Sequence, residues 1–486
     1  MYREIGQPLK SGRLLLLLLL IKLAFAPATA QHPDAGESIA AYSAAPSLAV
    51  LQREDGERRV TGKPTNDTEV ADHLFEIGSI TKLFTGLLLA ELIEDGMVSE
   101  DTTIAELMPQ GRVLDTEVGS ITLLELATHS SGLPRLPTQG PMLRRLLLQM
   151  GDPYAGSTRE EILDAVAALS SDELENRGRM QYSNLGMALL GQLLAEAAGQ
   201  PYEQLIEERL LQPLGMKDTR FTRDALGDPR LQRPHRENGL AASNWRLDAY
   251  NPTGGLVSSL ADMERFLDAV IAAEHPAMQR SLSVALRNED GEPVMGLGWI
   301  IRERNGETVY WHNGRTGGYS SFLAWMPESE RGLIMLANAS HSMDPAAWAL
   351  LEGEQALPHP DVSLLWQGFF LVMLALAPIT LFGRRVELRE TLKGTAKHPK
   401  GWLNGIGSGM SAAFILGVVW LNAPWQLWPM ALFWLSAVLC LALAAAMLPL
   451  LRQLPALPRE GRAMNSLGFA FDVILLLALV VMLALW

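Results

Sequence analysis

Residues 402–451 contain no Asp, Glu, Lys or Arg, an unbroken run of 50. About 20 apolar residues cross a bilayer as a helix, so the run is too long for one span and fits two, joined near Asn422-Ala423-Pro424. Residues 362–383 are also free of charge, and 464–486 are apolar apart from Asp472. The expected architecture of residues 359–486 is therefore an all-α region of four membrane helices, at about 362–383, 402–422, 425–451 and 464–486. The loop 384–401 carries six Lys or Arg and 452–462 carries three Arg, whereas the connection between the second and third spans carries none. The excess of positive charge places both basic loops in the cytoplasm and everything before residue 358 on the outer side of the cell membrane.

The first 30 residues agree with that topology. Arg3, Lys10 and Arg13 precede the apolar stretch 14–21, and Ala28-Thr29-Ala30 offers a small-residue cleavage site, the pattern of a signal peptide. Lys22 interrupts the apolar stretch, and an uncleaved anchor is the alternative. Cys440 is the single cysteine and lies in an apolar run, so no intrachain disulfide, thiol catalysis or cysteine metal site is available. Residues 31–358 hold 27 Lys or Arg against 48 Asp or Glu, a net charge of −21. An exported domain this acidic is not a nucleic-acid binder, and anionic lipid headgroups repel it.

Within 31–358 the hydrophobic period changes twice. Residues 47–53 and 57–61 alternate as two strands around Glu54-Asp55-Gly56, residues 121–273 are mostly of helical pattern, and strand patterns return at 296–302, 308–311, 320–325 and 332–336. Strands at both ends with helices between them predict an α+β domain whose termini share one antiparallel sheet.

Three short motifs carry chemistry. Phe75-Glu76-Ile77-Gly78-Ser79-Ile80-Thr81-Lys82 opens a Leu/Ala-rich helix and contains the chain's single S-x-x-K. Residues at i and i+3 share a helical face, which suits a serine hydroxyl whose proton is taken by an amine of depressed pKa. The motif alone is equally the pattern of a solvated helix face. Tyr182-Ser183-Asn184 precedes a second apolar helix and is the single Y-x-N. A tyrosine can relay a proton if cations lower its pKa, and an asparagine can hold a substrate carbonyl; a buried helix-capping tyrosine gives the same pattern. Trp311-His312-Asn313-Gly314-Arg315-Thr316-Gly317-Gly318 lies between strand patterns. Gly314 would let substrate approach the backbone, and the N–H groups of Ser79 and Arg315 would form an oxyanion hole, whereas a glycine-rich hairpin is the plain alternative.

In order and spacing, S-x-x-K, Y-x-N and H-x-G resemble the serine β-lactamase and penicillin-binding-protein superfamily, and most closely its class C β-lactamase-like branch of D-peptidases and esterases. The stretches Leu126-Ala127-Thr128-His129-Ser130-Ser131-Gly132-Leu133-Pro134, Pro213-Leu214-Gly215-Met216 and Gly254-Gly255-Leu256 with Asp262 fit the same branch. The resemblance covers roughly residues 40–351. It implies a β-lactamase/transpeptidase-like fold, an antiparallel sheet flanked by helices with a mostly helical second lobe. It also implies Ser79 as acyl-accepting nucleophile, Lys82 and Tyr182 sharing the base work, and Asn184, His312, Gly314 and Arg315 lining the substrate site, with no metal or other cofactor. His312 stands where the β-lactamases have lysine, and Asn313 where they have a hydroxyl residue, so efficient β-lactam hydrolysis is put in doubt. An imidazolium at His312 would help bind an anion below its pKa, and Arg315 would restore the lost charge. His129 is assigned a structural role.

The expected protein is a membrane-tethered, outward-facing serine hydrolase whose partners are a small-molecule or peptide substrate and the lipid bilayer, with no nucleic acid. Its substrates would be small amides or esters, D-amino-acid peptides of the cell wall among them. The alternative is a receptor that is acylated and does not turn over. Asp472 is expected to face the other helices, hydrogen-bonded to Asn404, Ser408 or Ser411 of the second span, or else to reach the inner interface without a partner.

Overall fold

The computed structural model describes residues 45–54, 56–63, 70–148, 151–353, 364–395, 402–423 and 431–454. The signal segment, the fourth expected span and Asp472 lie outside the described residues. Among the described residues eleven strands follow one another: β1 (Leu48–Glu54), β2 (Glu57–Lys63), β3 (Leu74–Glu76), β4 (Arg220–Phe221), β5 (Leu256–Ser259), β6 (Leu286–Arg287), β7 (Pro293–Met295), β8 (Ile300–Arg304), β9 (Glu307–Arg315), β10 (Ser320–Met326) and β11 (Arg331–Ala337). Eight of them form one antiparallel sheet in the order β2-β1-β11-β10-β9-β8-β7-β6, and β3, β5 and β4 form a small second sheet. The first hairpin pairs with the last strand, Leu48 opposite Ala337, as the terminal placement of the strand patterns predicts.

Strand periodicity divides the core. Successive side chains alternate across a sheet, and here each face has its own helices to bury against. Ala49, Leu51, Leu323, Ile334 and Leu336 join the large core around the helical lobe. Leu48, Val50, Phe322, Leu333 and Met335 instead meet the short helix Asp344–Leu351 on the other face. The sheet is thus covered on both sides, and its middle strand β10 is buried along its whole length.

Two helices position the chemistry. Helix α1 (Thr81–Glu94) runs between the sheet and the helical lobe and is buried on nearly every side. A Cβ on Gly86 would lie 2.1 Å from the Leu297 carbonyl oxygen, and one on Gly298 would lie 2.4 Å from that of Lys82. The strand approach 297–298 therefore rests on bare helix backbone and fixes the first turns of α1. Phe84 and Trp299 sandwich Phe266 there, with ring centroids 4.4 and 6.2 Å away. Helix α2 (Asn184–Ala198) is capped by Ser183, whose Oγ accepts from the Gly186 N–H at 2.8 Å, and ends at Gly199 in the left-handed region.

One strand boundary differs from the sequence pattern in a way that matters. His312, Asn313, Gly314 and Arg315 do not form a hairpin between strands but the last residues of β9, paired with β10 from Ser320 to Leu323. β8 begins at Ile300, because residues 297–298 leave the ladder to pack on α1.

The C-terminal part is helical: α3 (Leu364–Leu392), α4 (Trp402–Asn422) and α5 (Ala431–Leu451) pack on one another through Phe370, Leu374, Val419, Phe433 and, further along α3, Ala377, Leu381, Ala412 and Met447. Among the described residues two segments are long and apolar enough to cross a membrane, Gly368–Leu392 and Ala431–Leu451. The apolar segment Asn404–Trp420 of α4 is shorter. Of the three expected spans that reach into the described residues, two are thus candidates by length and composition, since a crossing helix needs about 20 apolar residues. Ser408 Oγ, an expected partner of Asp472, accepts a hydrogen bond from Arg384 Nε at 2.8 Å.

Candidate active site

Ser79 sits in the 3-10 turn Gly78–Ile80 that leads into α1, so its side chain faces the cleft while Lys82, one turn on, is fully buried. Gly78 adopts φ +49°, and a Cβ on it would stand 2.7 Å from the Arg315 nitrogen. Only glycine allows that approach, which sets the Ser79 turn against the end of β9. Gly314 has a related task. Its Cβ would meet the Ile77 carbonyl oxygen at 2.0 Å and Ser321 Oγ at 2.2 Å, so the missing side chain makes room for the 77–79 backbone rather than for substrate. Ser321 Oγ holds the same Ile77 carbonyl at 2.7 Å.

Two side chains meet at the Ser79 hydroxyl, one from the next helical turn and one from a distant part of the chain. Lys82 Nζ lies 2.9 Å from Ser79 Oγ, and the Tyr182 hydroxyl donates to that same Oγ at 2.7 Å. Lys82 Nζ also donates to the Thr253 carbonyl at 2.6 Å. Burial, with a further contribution from the Arg135 charge, holds the Lys82 ammonium well below the usual lysine range. A neutral amine in this position donates to Thr253 and keeps a lone pair for the Ser79 proton. The Thr253 carbonyl is delivered by the short turn Asn251–Gly254, which lies close on α2: a Cβ on Gly191 would be 2.2 Å from Pro252 Cγ.

Tyr182 departs from the expectation that cations lower its pKa. Burial pushes the phenol upward, outweighing the Ser79 hydrogen bond and the Arg135 charge. The phenol therefore keeps its proton and is a donor in the resting site. Its ring is bounded by Lys82 Nζ at 4.9 Å, Arg135 Cζ at 5.1 Å, His129 at 4.5 Å and His312 at 6.2 Å. His129 adopts φ +57° and accepts from the Ser183 N–H through Nδ1 at 3.3 Å, so it supports the Tyr182 segment.

His312 is fully buried, and Nδ1 is 2.6 Å from the Asn313 carbonyl. Burial and the neighbouring Lys82 push its pKa down to about 3. The imidazole is neutral at any ordinary pH, which overturns the expectation of an imidazolium that binds anions. Arg315 lies on the exposed side of the strand end, with its guanidinium paired to Glu237 at 2.9 Å. Asn184 is buried at the start of α2, where its Nδ2 donates to the Tyr154 hydroxyl at 3.0 Å and its Oδ1 has no partner among the described residues.

Several neighbours were not marked by the sequence motifs. Thr253 acts through a backbone carbonyl, which leaves no side-chain signal, although the adjacent Gly254-Gly255-Leu256 does. Glu76, three residues before Ser79, accepts from Asn244 Nδ2 at 2.8 Å and from the Trp245 N–H at 3.0 Å; burial pushes its pKa up to about 7. It ties the 244–245 loop to β3, and Trp245 packs edge-on against Tyr154 at 5.4 Å. A separate cleft of about 940 Å³ in the helical lobe is bordered by Arg159, Gln192, Arg223 and Asp248 and includes none of Ser79, Lys82 or Tyr182.

A family profile described as Beta-lactamase matches residues 37–357. Among characterised proteins, the D-alanyl-D-alanine-carboxypeptidase/endopeptidase AmpH of Escherichia coli strain K12 is 29% identical over 312 residues, 59% of this chain and 78% of that protein. Penicillin-binding protein 4 of Amycolatopsis lactamdurans is 26% identical over 316 residues, 60% of this chain and 80% of that protein. A solved structure of a beta-lactamase/D-alanine carboxypeptidase from Yersinia pestis superposes with a TM-score of 0.56 at 24% identity, over 69% of this chain and 99% of that one. The last likeness bears on the fold alone.

Proposed function

The chain belongs to the beta-lactamase family and is a serine hydrolase, and from that premise we propose a membrane-tethered enzyme that works through an acyl-Ser79 intermediate on D-amino-acid peptides. One observation carries the reading: a single hydroxyl, Ser79 Oγ, is held between an amine of depressed pKa at 2.9 Å and a phenol donor at 2.7 Å. Support for the substrate class comes from the D-alanyl-D-alanine carboxypeptidase relative. His312, neutral where an ammonium is usual, counts against efficient β-lactam hydrolysis. Support for the tether comes from the two long apolar helices, whose Val372, Ile379, Leu435, Val438 and Leu441 side chains are exposed.

The steps follow from the contacts. The Ser79 proton passes to Lys82 Nζ as Oγ bonds to the substrate carbonyl carbon, and the N–H groups of Ser79 and Arg315 receive the oxyanion. When the carbon–nitrogen bond breaks, Tyr182 gives its phenolic proton to the departing amine and recovers one from the Lys82 ammonium. Lys82 is then neutral again. Water attacks the ester carbonyl with Lys82 as base, and the proton returns to Ser79 Oγ as the acid product leaves.

Ser79→Ala removes the nucleophile. It is expected to abolish labelling by a fluorophosphonate and to lower turnover of a D-alanyl-D-alanine peptide by at least about 10⁴-fold. Undiminished labelling of that variant moves the nucleophile elsewhere and ends this reading. Stoichiometric acylation of the parent without turnover favours the acylated receptor.

A further inference from the structure

The site as described lacks a cation for the carboxylate that ends a D-peptide. His312 is neutral, and the Arg315 guanidinium is committed to Glu237 at 2.9 Å. We propose that Arg135 selects the free carboxylate of the leaving amino acid, so that the enzyme prefers peptide acids to the corresponding peptide amides. This rests on the reading of Ser79 as the acyl-accepting nucleophile and deepens it.

Arg135 is exposed and forms no ion pair or side-chain hydrogen bond with any described residue, although the 31–358 stretch around it is strongly acidic. In the same region Arg53, Arg177, Arg230 and Arg280 each hold two carboxylates. Its backbone is fixed where its side chain is open: the Arg135 carbonyl accepts from the Asn184 and Leu185 N–H groups at 3.0 and 3.2 Å, at the start of α2. That clamp holds the guanidinium over the Tyr182 ring, 5.1 Å from its centroid.

Position then specifies the ligand. Tyr182 is the group that hands a proton to the departing nitrogen, so the leaving amine and its substituents lie around the phenol. In a peptide acid the α-carboxylate is two bonds from that nitrogen, and the group above the phenol is a planar guanidinium with unused donors. Such a fork pairs with carboxylate bidentately. An amide in the same place offers one neutral oxygen and forms neither an ion pair nor a bidentate fork. A hydrophobic or neutral residue at position 135 would leave the cleft with no recognition of chain ends.

The experiment uses the full chain in detergent micelles and two peptides identical except for a C-terminal D-Ala carboxylate or D-alaninamide. The readout is the ratio of kcat/KM for acid over amide, which cancels any loss common to both. The parent should favour the acid, Arg135→Gln should lower the ratio by about tenfold or more, and Arg135→Lys, which keeps the charge but not the fork, should fall between them. Arg315→Gln should leave the ratio in place. A parent with no acid preference, a ratio kept in Arg135→Gln, or a ratio lost in Arg315→Gln overturns the proposal. Fluorophosphonate labelling of Ser79 in the parent separates the two levels: labelling without acid preference removes only the role of Arg135, and absent labelling removes the hydrolase reading itself.

Discussion

The two parts of this protein treat polar and apolar side chains in opposite ways. In the α+β part, Lys82, His312, Glu76, His129 and Asp262 are buried, whereas most large apolar side chains are hidden with them. In the three C-terminal helices, Val372, Ile379, Phe382, Trp434, Leu435, Val438 and Leu441 are more than half exposed, and Ser408 and Ser436 are buried. A water-soluble fold buries apolar area to gain stability, and it buries a charge only where that charge is held by partners or neutralised. Exposed apolar side chains in this density are what the lipid-facing surface proposed above would present. The contrast teaches where the chemistry comes from: the burial that depresses the Lys82 amine is available in the first part and has no counterpart among the described residues of the second.

The largest test acts on that buried amine. Lys82→Met keeps the length of the side chain and removes its basic nitrogen. The expected fall in kcat/KM is about 10²–10⁴-fold, with the thermal transition retained, because no buried amine then needs to be desolvated. A variant within tenfold of the parent would falsify the assignment of Lys82 to the proton path. It would also reduce the buried polar cluster to a structural feature.

A smaller pair of effects sharpens the contrast in stability. Trp299 is fully buried and stacks on Phe266, so Trp299→Ala should cost about 3–5 kcal/mol. Leu435, 68% exposed on α5, should tolerate Ala within about 0.5 kcal/mol. Leu435→Arg is the sharper case, because an arginine within an apolar span is costly, up to about 2.5–3.5 kcal/mol at its centre on insertion scales. Loss of membrane insertion in Leu435→Arg supports a lipid-facing surface. Normal insertion with an unchanged melt shows that this face of α5 is wet, and the contrast between the two parts then fails.

How far the sequence foretold these sites depended on how local each signal was. Ser79 and Lys82 are one helical turn apart, so their meeting is visible as a spacing. Tyr182 lies 103 residues from Ser79, and only the resemblance between ordered motifs connects them. The sheet was legible because period-2 patterns at both chain ends leave few topologies, and β1 does pair with β11. Backbone approach was not legible: Gly314 serves the Ile77 carbonyl, and the Lys82 amine is held by a carbonyl, both invisible to residue type. The ion pair of Arg315 with Glu237 spans 78 residues and has no local pattern, so Arg315 read as a free charge, whereas Arg135 beside Tyr182 has no ion pair among the described residues. Burial also reversed two electrostatic expectations: at Tyr182 desolvation exceeds the effect of the Arg135 charge, and at His312 desolvation and the Lys82 charge both push downward.

The smallest effect follows from the one exposed cation that acts on the buried amine. Lys82 is faced by Ser79 and Tyr182 in the cleft, by His312 on β9, and by the charges of Arg135 and, further off, nothing acidic that contributes to its depressed pKa. Desolvation is the main cause of that depression, and Arg135 adds to it by repelling an ammonium. Catalysis requires the amine neutral, so the acid limb of kcat/KM follows the Lys82 pKa. Removing the positive charge in Arg135→Gln makes the ammonium easier to form and raises that pKa. The acid limb for a neutral ester, which has no carboxylate to confuse binding with ionisation, should therefore move to higher pH, while desolvation keeps most of the depression in place. Because Arg135 is exposed, its influence is screened, and parent and variant limbs should converge at 1 M salt, where the Debye length is about 3 Å. A limb that moves to lower pH, or stays put at low salt, would mean that the buried site is electrically closed to its own rim, and burial alone would then account for the Lys82 amine.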